Sequence, residues 1–275
     1  MKVVIVVALL LACANASVIE TIQKLTASFA TPYVIKGQEA EPNSAPYIVS
    51  LSRKFSKHSH TCGGTIINKE WIVTAAHCIS KPVGMGVYAG LHERLQTNVA
   101  TAQHREVDFG KVHSSYEGNV GPYDIALLHV SEPFDFNESV QPAVLPGFGD
   151  IPSGNATLYG WGQTKAYILT AAKTLQTVKT EVVDWDECKD TLPESAPLDP
   201  SNVCSSSLGK GVSACNGDSG GPLVKETENS PTELIGIVSW GYIPCGSGNM
   251  PSIYTRVSAY IGWMNDIQSA YYKLF

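Results

Sequence analysis

Ser213-Ala214-Cys215-Asn216-Gly217-Asp218-Ser219-Gly220-Gly221-Pro222-Leu223 sets one serine among three glycines. A turn of this composition lets backbone approach a bound molecule closely. A serine hydroxyl is a weak nucleophile alone and needs a base, which a third group orients. Both residue types occur upstream. His77 lies in Thr74-Ala75-Ala76-His77-Cys78, and Asp124 opens Asp124-Ile125-Ala126-Leu127-Leu128. His77 and Asp124 are 47 residues apart, and Ser219 follows Asp124 by 95. Each has a plainer reading in isolation: a core histidine, a strand-capping acid, a glycine turn. In the order His-Asp-Ser they compose a nucleophile, its base and an orienting acid.

At these residues the chain resembles the chymotrypsin family of secreted serine endopeptidases. The resemblance runs from Val34 to the C-terminal helix. It implies an all-β fold of two six-stranded antiparallel β-barrels followed by an α-helix. The implied organisation is a signal peptide over 1–16, an activation propeptide over 17–33 and a peptidase domain over 34–275. Within that domain, barrel one covers about 34–140, barrel two about 141–255, and the helix 257–271.

The rest of the sequence is compatible with that frame. Its 275 residues exceed a typical single domain, but all-β units of roughly 200–250 residues occur. Lys2, the apolar run Val3–Ala12 and the small-residue site Ala14-Asn15-Ala16 read as a secretory leader, too short to span a bilayer. Ser17–Tyr33 lacks turn glycines and reads as a propeptide. The net charge of −6 and the absence of a basic patch argue against nucleic acid or an anionic membrane as partner. Of seven cysteines, Cys13 leaves with the leader and six remain. An even number in a secreted chain implies disulfides, and six cysteines allow 15 pairings. The resemblance selects Cys62–Cys78, Cys188–Cys204 and Cys215–Cys245.

Short β-branched runs separated by turn residues cover most of the chain, the pattern of a barrel or sandwich. Tyr47–Leu51, Thr61–Ile67, Trp71–Thr74, Val107–Val112, Ile125–Val130, Thr157–Trp161, Leu175–Val183 and Leu234–Trp240 are examples of expected strands. The Pro- and Gly-rich stretch Glu132–Gly149 is the expected linker. Val257, Tyr260, Ile261, Met264, Ile267 and Tyr271 recur at helical spacing and predict one helix, packed on the second barrel. His58-Ser59-His60 reads as an exposed hairpin rather than a metal site. Gly90 is followed by Leu91, not by the acid that opens the family's calcium loop. No metal and no cofactor is expected.

The resemblance assigns roles residue by residue. Ser219 is the nucleophile, His77 the base and Asp124 the orienting acid. Gly217 and Ser219 supply the oxyanion-binding N–H groups. Asp218 pairs with the α-amine of Val34 after cleavage of the Tyr33–Val34 bond. Ser239-Trp240-Gly241 is the edge that binds extended substrate. Ser213 forms the base of the specificity pocket, Gly241 leaves one wall open, and Ser252 stands where large-pocket members carry glycine. The implied substrates are proteins or peptides with a large apolar residue before the cut, in a digestive setting. Protein protease inhibitors are implied partners of a monomer. Ser239–Cys245 also resembles the lectizyme branch, whose members combine protease with lectin activity; this adds carbohydrate as an implied partner. Asn137-Glu138-Ser139 and Asn155-Ala156-Thr157 are glycosylation sequons.

Overall fold

The computed structural model describes residues 35, 37–53, 59–165, 170–207, 209, 211–228 and 230–274. The expected leader, propeptide and Tyr33–Val34 junction lie outside them, as does His58.

The first barrel is built from β2 (Ile48–Ser52), β3 (Cys62–Ile66), β4 (Trp71–Thr74), β5 (Gly86–Ala89), β6 (Gln103–Val112) and β7 (Ala126–Val130). The strands follow the order β2-β3-β4-β7-β6-β5 and close by pairing β5 with β2, all antiparallel. The second uses β8 (Gly154–Gly160), β9 (Gln176–Val183), β10 (Asn202–Ser205), β11 (Pro222–Lys225), β12 (Glu233–Trp240) and β13 (Ser252–Arg256). It runs β8-β9-β10-β13-β12-β11 and closes through β11 and β8. A two-residue strand, β1 (Gln38–Glu39), adds to the edge of β9, and Ile35 bridges to Ser213. The first described residues are therefore held by the second barrel, although they precede the first in sequence.

Several strands read as unbroken apolar runs because both of their faces are buried. Successive side chains point to opposite faces. In β4, Ile72 enters the core of the first barrel with Val49, Leu51, Ile66, Leu128 and Val130. Its neighbours Trp71 and Val73 enter a separate apolar layer with Tyr47, Ile125, Leu127, Trp161, Leu234 and Ile237. That layer draws on strands of both barrels and on the C-terminal helix residue Met264. Full burial of each such side chain is worth roughly 1.5–3 kcal/mol. The layer fixes one barrel against the other, so Asp124, next to Ile125, is positioned by core packing.

Two helices occur among the described residues. The first, α1 (Trp185–Thr191), is capped by Asp184, whose side chain accepts from Asp186 N–H at 2.9 Å. Seven residues give too few turns for periodicity to reveal it. The second, α2 (Ile261–Leu274), follows a 3₁₀ turn at Val257–Tyr260, so the expected helix begins tighter and ends later than its sequence spacing predicts. It was expected on the second barrel; its last turns instead lie against the first. Tyr271 packs on the His129 ring at 4.2 Å and edge-on to Trp71 at 5.4 Å. Asn68 Nδ2 donates to Gln268 Oε1 at 2.8 Å. No helix of the described residues is long and apolar enough to cross a membrane.

Strands β5, β10, β11 and β13 complete the two expected sets of six, but their positions have no clear signal in the sequence. They are four or five residues long, and glycine, proline or serine sits at an end of each. Local composition there reads as turn, and cross-strand pairing overrides it.

Candidate active site

His77 sits in a 3₁₀ turn, Ala76–Cys78, directly after β4. The turn is pinned to β3 by the Cys62–Cys78 disulfide, whose Cα atoms are 6.1 Å apart. Cys62, His77 and Cys78 form a cluster within 4.8 Å, but the two sulfurs are bonded to each other and offer no thiolate. The other bonds are Cys188–Cys204 and Cys215–Cys245. The former ties α1 to β10, and the latter braces the segment before Ser219.

Asp124 is only 3% exposed. Its Oδ1 accepts from the backbone N–H of His77 at 2.9 Å, and its Oδ2 faces His77 Nδ1 at 2.8 Å. An ionised carboxylate can only accept, so Nδ1 carries the proton and Nε2 is left as a basic lone pair. Ser239 Oγ donates to the same Oδ2 at 2.6 Å, and Thr255 Oγ1 donates to the Asp124 carbonyl at 2.8 Å. Ser239, expected on the substrate edge, also completes the acceptor shell of the acid with its hydroxyl. Nothing local signals this contact, which joins residues 115 apart.

Ser219 stands in a tightly wound loop. Asp218 N–H donates to Cys215 O at 2.9 Å, and Gly221 N–H to Asp218 O at 2.9 Å. Gly217 and Gly220 have φ of +99° and +76°, a region that glycine enters without a Cβ clash. The loop is moored to its surroundings by Gly63 N–H on Ser219 O and Gly220 N–H on Val238 O, both 2.8 Å. The backbone N–H groups of Gly217 and Ser219 meet no acceptor among the described residues. Two donors are thus free beside the Ser219 hydroxyl.

The Asp218 carboxylate points inward and is 1% exposed. It accepts from Gly162 N–H at 2.8 Å and Cys215 N–H at 2.9 Å. Burial raises its pKa to about 6, against these two hydrogen bonds, which lower it. Among the described residues no cationic side chain pairs with it.

His60, read as part of an exposed hairpin, is a half-buried strut. Its Nε2 lies 2.7 Å from Gly217 O, and its Nδ1 lies 2.8 Å from Ser50 Oγ. Its ring meets Trp161 edge-on at 5.8 Å. A carbonyl needs a donor, so Nε2 carries the proton and Nδ1 accepts from Ser50. Burial lowers the imidazole pKa to about 4, so the ring is neutral near pH 7. His60 thereby holds the Gly217 carbonyl, and the N–H of that residue is left for other work. The contact spans 157 residues and has no sequence signature.

A cavity of ≈170 Å³ opens beside Ser219, lined among others by Ala214, Cys215, Val238, Trp240 and Gly241. No atom lies within 4 Å of where a Gly241 Cβ would stand, so that wall is open. Ser213 and Ser252 are not among the lining residues. Their hydroxyls meet at 3.2 Å; Ser213 Oγ donates to Ala214 O at 2.6 Å, and Ser252 Oγ accepts from Ala214 N–H at 3.1 Å. Both hydroxyls are occupied beneath the Ala214 peptide and present no charge to the cavity. A larger cavity of ≈410 Å³, around Trp185, Val203 and Arg256, contains none of the expected catalytic or substrate-binding residues.

The structure thus supplies an imidazole oriented by a buried carboxylate, and a serine in a glycine loop beside a cavity. Comparison with known proteins identifies the family. The trypsin family model matches residues 34–264. The chain is 40% identical to Lectizyme from Glossina austeni over the whole length of both. It is 34% identical to the venom peptide isomerase heavy chain of Agelenopsis aperta, over 84% of this chain and 98% of that one. It is 37% identical to chymotrypsin-like elastase family member 1 of Rattus norvegicus, over 85% of this chain and 89% of the other. With the matched model covering most of its length, the chain belongs to the trypsin family and is a serine endopeptidase.

Proposed function

We propose that Ser219, His77 and Asp124 form the catalytic triad of a secreted, zymogen-derived endopeptidase that cuts after large apolar residues in a digestive setting. The observation that carries this reading is the buried Asp124 carboxylate, which holds both the backbone and Nδ1 of His77. Ser219 Oγ attacks the scissile carbonyl as His77 Nε2 takes its proton. The C–N bond then breaks, and the amine leaves with that proton. Water repeats the sequence on the acyl-enzyme, His77 again acting as base, and releases the acid. Gly217 and Ser219 N–H groups bind the tetrahedral oxyanion, each worth about 3–4 kcal/mol in such sites. The Ser239–Gly241 edge pairs with extended substrate backbone, as an added strand.

Specificity follows from the Ala214 wall of the cavity and what stands behind it. Ser213 and Ser252 hydroxyls are tied to the Ala214 peptide and offer a lysine or arginine head no carboxylate. A buried unpaired cation is costly. Gly241 admits a bulky side chain. The mature enzyme is expected to cleave after Phe, Tyr, Leu or Met and poorly after Lys or Arg. A panel of peptides varied only at the residue before the cut measures this through kcat/KM. A dominant Lys or Arg preference would overturn the pocket assignment.

A further inference from the structure

Tyr123, the residue before Asp124, has a φ of +62°. A bulky aromatic residue in the left-handed region is an outlier, because its Cβ crowds the backbone. Such strain persists where the surroundings over-determine it, and it gathers at functional sites. The surroundings of Tyr123 do fix it. Its ring stacks on His113, with centroids 4.9 Å and planes 18° apart. Its N–H donates to Tyr260 Oη at 3.0 Å, and Tyr260 Oη donates onward to Ser201 Oγ at 2.9 Å. His113 is itself enclosed by Tyr260 at 5.5 Å and Trp263 at 5.2 Å, and its Nδ1 accepts from Ser115 N–H at 3.2 Å. The stack therefore joins the first barrel to the C-terminal segment of the chain.

The same backbone forms the turn that presents Asp124. Ile125 N–H donates to Tyr123 O at 2.8 Å, and His113 N–H donates to Ile125 O at 3.1 Å. Asp124 is the central residue of this three-residue turn, so the turn sets the direction in which its carboxylate leaves the chain. Glycine or asparagine at position 123 would adopt the left-handed backbone with less strain. The tyrosine brings what they lack, a ring wide enough to be gripped.

We propose that Tyr123 is a positioning residue for Asp124: its ring, clamped by His113 and Tyr260, holds the left-handed backbone that leads into the turn and so aims the carboxylate at His77. The proposal rests on Asp124 being the orienting acid of the proposed triad. Tyr123→Gly and Tyr123→Asn keep the turn accessible and delete the ring, while Tyr123→Phe keeps the ring. Rates are normalised to active sites by titration, so that misfolded protein does not count. Both ring-deleting variants are expected to lose about tenfold or more in kcat with KM within about twofold, since a misplacement of ~1 Å can cost up to about 10². The low-field proton resonance of His77 Nδ1–H is expected to shift or broaden in them. Tyr123→Phe is expected to restore both readouts. Parental kcat with an unmoved resonance in a folded glycine or asparagine variant would overturn the proposal, as would a Phe variant as slow as glycine. Asp124→Asn, measured alongside, separates the two levels: if it turns over normally, it is the reading of Asp124 that fails.

Discussion

Asp124→Asn is expected to fold normally and to lose about 10⁴-fold in kcat, the loss that the same change causes in another Ser-His-Asp triad. The fold should survive because asparagine is isosteric, and the bond from Thr255 Oγ1 goes to the backbone carbonyl. The chemistry should not. Asp124 now accepts from three donors: His77 N–H, His77 Nδ1–H and Ser239 Oγ. An amide has one accepting oxygen and one donating nitrogen. With its oxygen on the backbone N–H of His77, its NH₂ faces Nδ1 and demands a lone pair there. The imidazole then carries its proton on Nε2 and has no basic site to offer Ser219. Steady-state kinetics with a thermal melt on the same sample check this. Near-normal turnover in the folded variant would remove Asp124 from the mechanism.

Cleavage between Tyr33 and Val34 is expected to raise activity by at least the roughly 10²–10³ that one oxyanion-hole donor supplies. The physical motive is Asp218. Its carboxylate is buried, raised to about 6 by that burial, and adjacent to Gly217. A new α-amine at Val34 would supply the charge that the ionised form lacks, as a charge-assisted bond. The two forms then differ in pH dependence. In the uncut chain the folded pKa of Asp218 lies above its unfolded value of 3.8, so its contribution to stability is full below about 3.8 and lost as pH rises through about 6. In the cut chain the amine, ordinarily near 8, would be raised by the carboxylate. Its contribution is full below about 8 and lost as pH climbs through the raised value, taking activity with it. Tyr33 is not a residue that a Lys/Arg-specific activator would recognise. It suits the pocket proposed for this enzyme, and the Ser219→Ala chain should be cut at that bond by a trace of active enzyme. N-terminal sequencing settles the site: a start after Lys24 or Lys36 would end the idea, and an intact Tyr33–Val34 bond would mean that another protease performs the cut.

What the sequence made legible was what motif and period encode. Ser219 in its glycine turn, His77 beside Cys78 and Asp124 ahead of an apolar strand are legible in local motifs. So are the unbroken apolar runs of strands with two buried faces, and the apolar face of α2. The contacts that tune the site were not. Ser239 on Asp124, His60 on Gly217 and Tyr260 on Tyr123 each join residues more than 100 positions apart. No local window contains both partners, and serine, histidine and tyrosine are all ordinary surface residues. The left-handed Tyr123 was hidden for a different reason: sequence rules reserve that backbone for glycine or asparagine, so a tyrosine gives no sign of it. The pocket was half legible. Ser213 and Ser252 are neutral in sequence, but only coordinates show that neither lines the cavity and that their hydroxyls are spent on the Ala214 peptide.

The central claim is that Ser219 is the nucleophile and is activated by His77. Covalent labelling with a fluorophosphonate probe, followed by peptide mapping, tests it most directly. The account predicts a single adduct, on Ser219, in the chain that begins at Val34. It also predicts no adduct in Ser219→Ala, and labelling slowed severely in His77→Ala. A folded, cut chain that takes up no probe, or a Ser219→Ala chain that still labels, would contradict it.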